Sequence, residues 1–101
     1  MATHFNISGE LTQELLAVGA DVTVSKVSLT NIEGTNNCTV DLYIEKKLTG
    51  KFYLLKGIEL PIGATLIYDD ITFSNATDEF GLYIKLTKSA SETPAVDVII
   101  N

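Results

Sequence analysis

Residues 38–46 read Cys38-Thr39-Val40-Asp41-Leu42-Tyr43-Ile44-Glu45-Lys46. Cys38, Val40, Leu42 and Ile44 share one phase of this run, and Thr39, Asp41, Tyr43 and Glu45 share the other. Successive side chains of an extended chain point to opposite faces, so a period of two with one apolar phase specifies a strand with one buried face.

The same pattern recurs on both sides. Glu33 to Asn37 is turn chemistry, because glycine and asparagine tolerate positive φ. Before it, Val27 and Leu29 alternate with polar residues, and the two runs together read as a hairpin over roughly 26 to 46. Val22 and Val24 keep a different phase, which implies a bulge near Ser25–Lys26 or two short strands. After residue 46, Leu48–Thr49–Gly50 turns the chain into Phe52 to Leu55, a strand without a polar phase. Lys56–Gly57 reads as a break or bulge, and Pro61–Ile62–Gly63 as a turn in which proline sets φ and glycine supplies a positive one. Leu66 to Phe73 follows, with a bend at Asp69–Asp70, and Ser74 to Glu79 is a polar loop. Leu82, Ile84 and Leu86 then alternate with Tyr83, Lys85 and Thr87, and Val96, Val98 and Ile100 close the chain.

About seven short strands separated by turn signals define an all-β chain, an antiparallel sandwich of immunoglobulin-like or jelly-roll type. No gap is long enough for the crossover helix of a parallel sheet. Residues 21–101 form the expected sandwich domain and residues 1–20 a separate N-terminal arm or short strand. Within that stretch Phe5 and Ile7 alternate as a strand would. Leu11, Leu15 and Val18 fit either one face of a helical turn or an extended arm. The length of 101 residues, with 46% hydrophobic residues, suffices for one core.

The net charge is −6, and all seven basic residues are lysines. Without arginine or a basic patch, a nucleic-acid partner is not expected. Cys38 is the only cysteine and reads as a buried, inert thiol. His4 is the only histidine, too little for a histidine metal site or a Ser–His–Asp triad. The carboxylates Asp69, Asp70, Asp78 and Glu79 fall among turn formers and read as solvated loops, with a weak calcium site as the sharper alternative. The three N-x-S/T matches, at Asn6, Asn37 and Asn75, have no meaning without a secretion signal, and none is recognisable. No membrane span, cofactor, metal or enzymatic activity is expected.

What remains is surface. Tyr43 and Tyr83 lie on the polar phases of their strands, where an aromatic ring can pack in an interface or against a sugar. Ile99 stands on the face opposite Val98 and Ile100, and the strand at Phe52 to Leu55, with Tyr53, is apolar throughout. Strands apolar on both faces are central or covered by another chain. Phe5, Leu11, Leu15, Tyr43, Tyr53, Tyr83 and Ile99 are therefore the candidate interface residues.

Taken in order, the strand from Val27, Asn31 after it, the Leu42–Tyr43–Ile44 strand, the aromatic-rich Phe52 to Leu55, the turn Leu60–Pro61–Ile62–Gly63–Ala64–Thr65–Leu66, Leu82–Tyr83–Ile84–Lys85 and Ala95–Val96–Asp97–Val98 resemble the small β-sandwich virion proteins of tailed bacteriophages, marine and cyanobacterial phages above all. The resemblance covers about residues 20 to 101, and Asn31 and the Leu60–Leu66 turn carry most of its specificity. It implies a capsid decoration or cement subunit, multi-copy or homo-oligomeric, that binds neighbouring virion proteins and is assembled in the host cytoplasm. A neck or tail accessory protein and a carbohydrate- or receptor-binding module are the alternatives.

Overall fold

The computed structural model describes residues 3–10, 12–17, 23–46, 50–69, 73, 74 and 80–101. Ten strands occur among them: β1 (Thr3–Ser8), β2 (Thr12–Leu16), β3 (Thr23–Val24), β4 (Val27–Asn31), β5 (Cys38–Lys46), β6 (Gly50–Leu60), β7 (Thr65–Tyr68), β8 (Phe73–Ser74), β9 (Phe80–Lys88) and β10 (Ala95–Ile100). They form an antiparallel β-sandwich. One sheet has the order β1-β10-β4-β7, the other β2-β9-β5-β6, and β3 pairs with β8.

The pairing follows one rule. β5 pairs with β6, β4 with β7, β3 with β8, β2 with β9 and β1 with β10. The chain is thus a single long ribbon doubled back between β5 and β6 and then rolled up. Pairing of β10 with β4 and of β5 with β9 closes the roll. This is the jelly-roll version of the sandwich.

The roll corrects the expected hairpin over 26–46. β4 and β5 lie in different sheets, and residues 32–37 carry the chain across the core. Each strand has one apolar phase, and that phase is satisfied whether the partner lies alongside or across the core. The alternation therefore did not distinguish the two arrangements. The phase shift near Ser25–Lys26 marks two separate strands, β3 and β4.

Residues 3–8 and 12–16, inside the stretch read as an N-terminal arm or short strand, supply one strand to each sheet. β2 carries a bulge at Leu15, so that Leu15 and Leu16 both turn into the core. Consecutive buried leucines blur a period-two signal, which is why this segment reads equally well as a helical turn.

Val27, Leu29, Val96, Val98 and Ile100 of the first sheet pack against Val40, Leu42, Leu82, Ile84 and Leu86 of the second, all almost fully buried. Each such side chain contributes about 1.5–3 kcal/mol on leaving water. Cys38 is buried in this core, and burial pushes its thiol above the usual value, with smaller contributions from Glu92 and Glu33.

Two backbone devices shape β6 and its exit. At Lys56–Gly57 the pairing slips by a residue, Gly57 takes a φ of 65°, and its N–H donates to Asp41 Oδ1 at 2.7 Å. This is the expected bulge. At Pro61–Ile62–Gly63–Ala64 the Ala64 N–H donates to the Pro61 carbonyl at 3.1 Å, and Gly63 holds a φ of 71°. These are the marks of a type II turn.

Asn31 ties that turn to the rest. Its side chain is 1% exposed, yet fully partnered. Nδ2 donates to the carbonyls of Leu60 at 2.9 Å and Asn36 at 3.1 Å, and Oδ1 accepts from the Glu33 N–H at 2.9 Å. Its own N–H donates to the Ala64 carbonyl, and the Gly63 N–H donates to the Asn31 carbonyl. One side chain thus holds the β4–β5 crossing and the β6–β7 turn together. Asn37 adds to the clamp by accepting from the Ile62 N–H and donating to Glu59.

Candidate functional site

The sandwich has two outer faces, and they differ in kind. On the second sheet a row of facing residues runs across all four strands: Glu14, Tyr83, Tyr43 and Tyr53. Alternation places these side chains outward, as expected for Tyr43 and Tyr83. Tyr43 is nevertheless only 3% exposed, because its neighbours enclose it. Its ring stacks on Tyr83 at 5.6 Å and 16°, and meets Tyr53 at 5.3 Å and 52°.

Lysines complete the enclosure. Lys51 Nζ lies 4.9 Å from the Tyr43 ring centre, and Lys56 Nζ lies 4.2 Å from that of Tyr53. The Tyr83 hydroxyl donates to Glu14 at 3.2 Å, and its phenol is raised above the usual value, first by burial and then by this bond. The Tyr83 ring leans over Gly81. A β-carbon at Gly81 would lie 3.0 Å from Tyr83 Cε2 and 3.1 Å from the Leu16 carbonyl oxygen. The row is therefore an aromatic ladder that covers a glycine and braces the sheet. Lys85, Glu45 and Asp41 flank it on the same face, which is richly charged.

At the end of the same sheet, Phe52 and Phe80 meet edge to face at 5.9 Å, with Lys46 over the Phe80 ring. β6 is an edge strand. The residues that lacked a polar phase are neither central nor fully covered: Phe52 and Tyr53 are exposed, and Leu54 and Leu55 are half-buried. Two lysines and a bulge on this edge disfavour further strand pairing.

The outer face of the first sheet is nearly free of charge. Its rows are His4–Ile99–Ser28–Ile67 and Asn6–Asp97–Thr30–Thr65. Ile99 is 46% exposed although β10 is a central strand, and Ile67 is 57% exposed. The polar row is paired within itself, Asn6 Nδ2 donating to Asp97 Oδ1 at 2.7 Å and the Thr30 and Thr65 hydroxyls meeting at 2.8 Å. Beside Ile99 a shallow cavity of about 290 Å³ opens between β1 and β10, lined by His4, Phe5, Asn6, Asp97 and Val98.

The candidate interface residues thus scatter. Leu15 is buried in the core and Phe5 is half-buried against it. Leu11 lies outside the described residues. Tyr43, Tyr53 and Tyr83 share one face, and Ile99 stands on the other. Ile67 escaped the sequence reading. The signal was present, in that it occupies the phase opposite Leu66 and Tyr68, but the strand is only four residues long. Of the four carboxylates considered for calcium, Asp69 is exposed and the other three lie outside the described residues. Among the described residues no three His, Cys, Asp or Glu side chains converge as a metal site.

No protein-family model matches the chain, and no curated protein matches it. Among solved structures it is similar to the crystal structure of Yersinia pseudotuberculosis-derived mitogen. The two share 14% identity, with 100% of this chain and 85% of that one covered, at a TM-score of 0.57. At that identity the likeness is one of fold alone.

Proposed function

We propose that the chain is a structural subunit of a tailed-bacteriophage particle, in the first place a capsid decoration or cement protein that binds neighbouring shell subunits. The observation that supports this reading is the Asn31 clamp. The two most specific motifs of the virion-protein resemblance, the asparagine after the first strand and the Leu60–Leu66 turn, lie 29 residues apart in sequence, yet the Asn31 side chain bonds the Leu60 carbonyl directly. The motifs are one physical unit, so their joint occurrence is more than generic β alternation. The jelly roll is also an architecture that viral capsid domains use.

The mechanism on this reading is adhesive. A subunit that repeats over a shell needs little free energy per contact, because neighbouring contacts act together. A sugar-binding platform fits the tyrosines less well, because Tyr43 is enclosed by Tyr83, Tyr53 and Lys51. Peptide mass spectrometry of purified particles from the encoding phage tests the proposal. Detection at a copy number comparable with the shell protein is expected. Absence from the particle, or an origin outside any phage genome, overturns it.

A further inference from the structure

We infer that the outer face of the first sheet is a self-complementary surface on which a second copy of this chain packs. The inference does not depend on where in a particle the chain sits.

Three observations carry it. The first is the size pattern of the row His4–Ile99–Ser28–Ile67. Neighbouring strands lie about 4.8 Å apart, so these four side chains are evenly spaced across the sheet. Consider a two-fold axis parallel to the strands, midway between β10 and β4 and in the plane between two stacked sheets. It leaves positions along the strands unchanged and reverses their order across the sheet. Ile99 of one copy then faces the small Ser28 of the other. The protruding Ile67 faces His4, beside the cavity between β1 and β10. Large meets small at the two central positions, and the match holds in both directions, as an isologous contact requires.

The second observation is the polar row one step along the strands. Its amide, carboxylate and two hydroxyls already bond one another. Burying donors and acceptors that have partners avoids the penalty of orphaned groups. The same axis sets Asp97 against Thr30 and Asn6 against Thr65, so no carboxylate directly faces another.

The third observation is charge. The chain carries −6, and two copies repel wherever their acidic surfaces meet. Of the side chains in these two rows only His4 and Asp97 ionise, and the exposed Lys26 and Asp69 stand just beyond β4 and β7, whereas the opposite face presents Glu14, Asp41, Glu45, Lys51, Lys56 and Lys85 across its strands. Depletion of charge is the compositional mark of an interface centre.

The area sets the strength. Four strands about 4.8 Å apart and about six residues long cover on the order of 400 Å² per copy. A stable complex buries about 800 Å² per partner. The pair is accordingly weak, dissociated when dilute and formed when copies are concentrated or held side by side.

Cross-linking tests the geometry, using the buried Cys38 as a silent background. His4→Cys and Ile67→Cys proteins, one of them mass-tagged, are mixed in equal amounts at high concentration and treated with a short bis-maleimide, because facing sheets lie about 10 Å apart and a direct disulfide needs Cα atoms within about 7 Å. The mixed 4–67 dimer is expected in large excess over the proportions that random collision gives. Random proportions, or no cross-linking, overturn the inference. Sedimentation velocity over a concentration series gives an independent readout. The native chain is expected to sediment faster as concentration rises, Ile99→Lys to lose that shift and Tyr53→Lys, on the opposite face, to keep it. A native chain that stays monomeric throughout, or equal loss in both variants, overturns the inference, even if the face binds some other protein.

Discussion

Replacing Asn31 by aspartate tests the clamp with almost no change of shape. The carboxylate keeps the oxygen that accepts from the Glu33 N–H but loses the amide that donates to Leu60 and Asn36. Both carbonyls then face an oxygen instead of a donor. Leu60 is buried, so its carbonyl has no access to water and its loss costs about 2 kcal/mol. Asn36 is half-buried, and its carbonyl can turn toward solvent, so its share is about 1 kcal/mol or less. The sum, about 3 kcal/mol at neutral pH, is a large part of the 5–15 kcal/mol that holds a typical domain together. In a chain of this length it lowers Tm by roughly 12–24 °C.

The direction of the pH dependence is distinctive. Burial beside two carbonyl oxygens raises the folded-state pKa of the new carboxyl above its unfolded value. The variant is therefore least impaired at acid pH, where the protonated carboxyl donates to one of the two carbonyls, and it loses stability as pH rises through the folded pKa. The assay is urea denaturation followed by tyrosine fluorescence and circular dichroism, for the native chain and the variant, at neutral and mildly acid pH. A loss below about 1 kcal/mol at neutral pH with an unchanged slope, or an equal loss at both pH values, refutes the clamp as described.

Four further outcomes follow from the geometry. Tyr43→Ala should cost about 3 kcal/mol, because it removes a buried ring and two aromatic contacts, whereas Tyr53→Ala at the exposed end should cost about 1 kcal/mol; paired denaturation curves decide. Gly81→Ala should destabilise by about 1–3 kcal/mol, and adding Tyr83→Leu should recover only part, since the Leu16 carbonyl still crowds the new methyl; a double-mutant cycle measures the coupling. The carboxyls of Glu33 and Glu92 are held below their usual value, chiefly by the backbone N–H groups of Thr35 and Ser89. Their contribution is present above the unfolded pKa and lost as pH falls through the folded one, so Glu33→Gln/Glu92→Gln should flatten the acid limb of Tm against pH. Cys38 should resist a thiol reagent in the native state and react at the rate of global unfolding; fast labelling without denaturant would mean that the core opens locally.

The candidate surfaces were only partly legible. Alternation placed Tyr43, Tyr83 and Ile99 outward, and the structure has all three on outer faces. It carried no information about enclosure. Tyr43 is hidden because Tyr53 and Tyr83 come from strands about ten and forty residues further along. Leu15 lies on the inward phase of β2, that of Gln13 opposite Ile84, and the bulge brings Leu16 inward beside it; a bulge is a property of a pair of strands. Ile67 could join Ile99 in one row only after β10, β4 and β7 were placed side by side.

The fold divides along the same line. The chain by itself determined that it is an all-β sandwich, because period-two apolar phases and turn residues are local. Each is set by the geometry of an extended backbone and by the φ values that glycine, proline and asparagine accept. It also placed the bulge at Lys56–Gly57 and the turn at Pro61–Gly63. Tertiary structure alone decided that β4 and β5 face each other across the core and do not lie side by side, and that residues 3–8 and 12–16 each give a strand to the sandwich. It also decided that the long ribbon rolls into a jelly roll. A strand with one apolar face is equally content with any partner that covers that face. Which partner does so is settled by the whole set of strands closing around one core, with Asn31 fixing the two loops where the roll crosses from sheet to sheet.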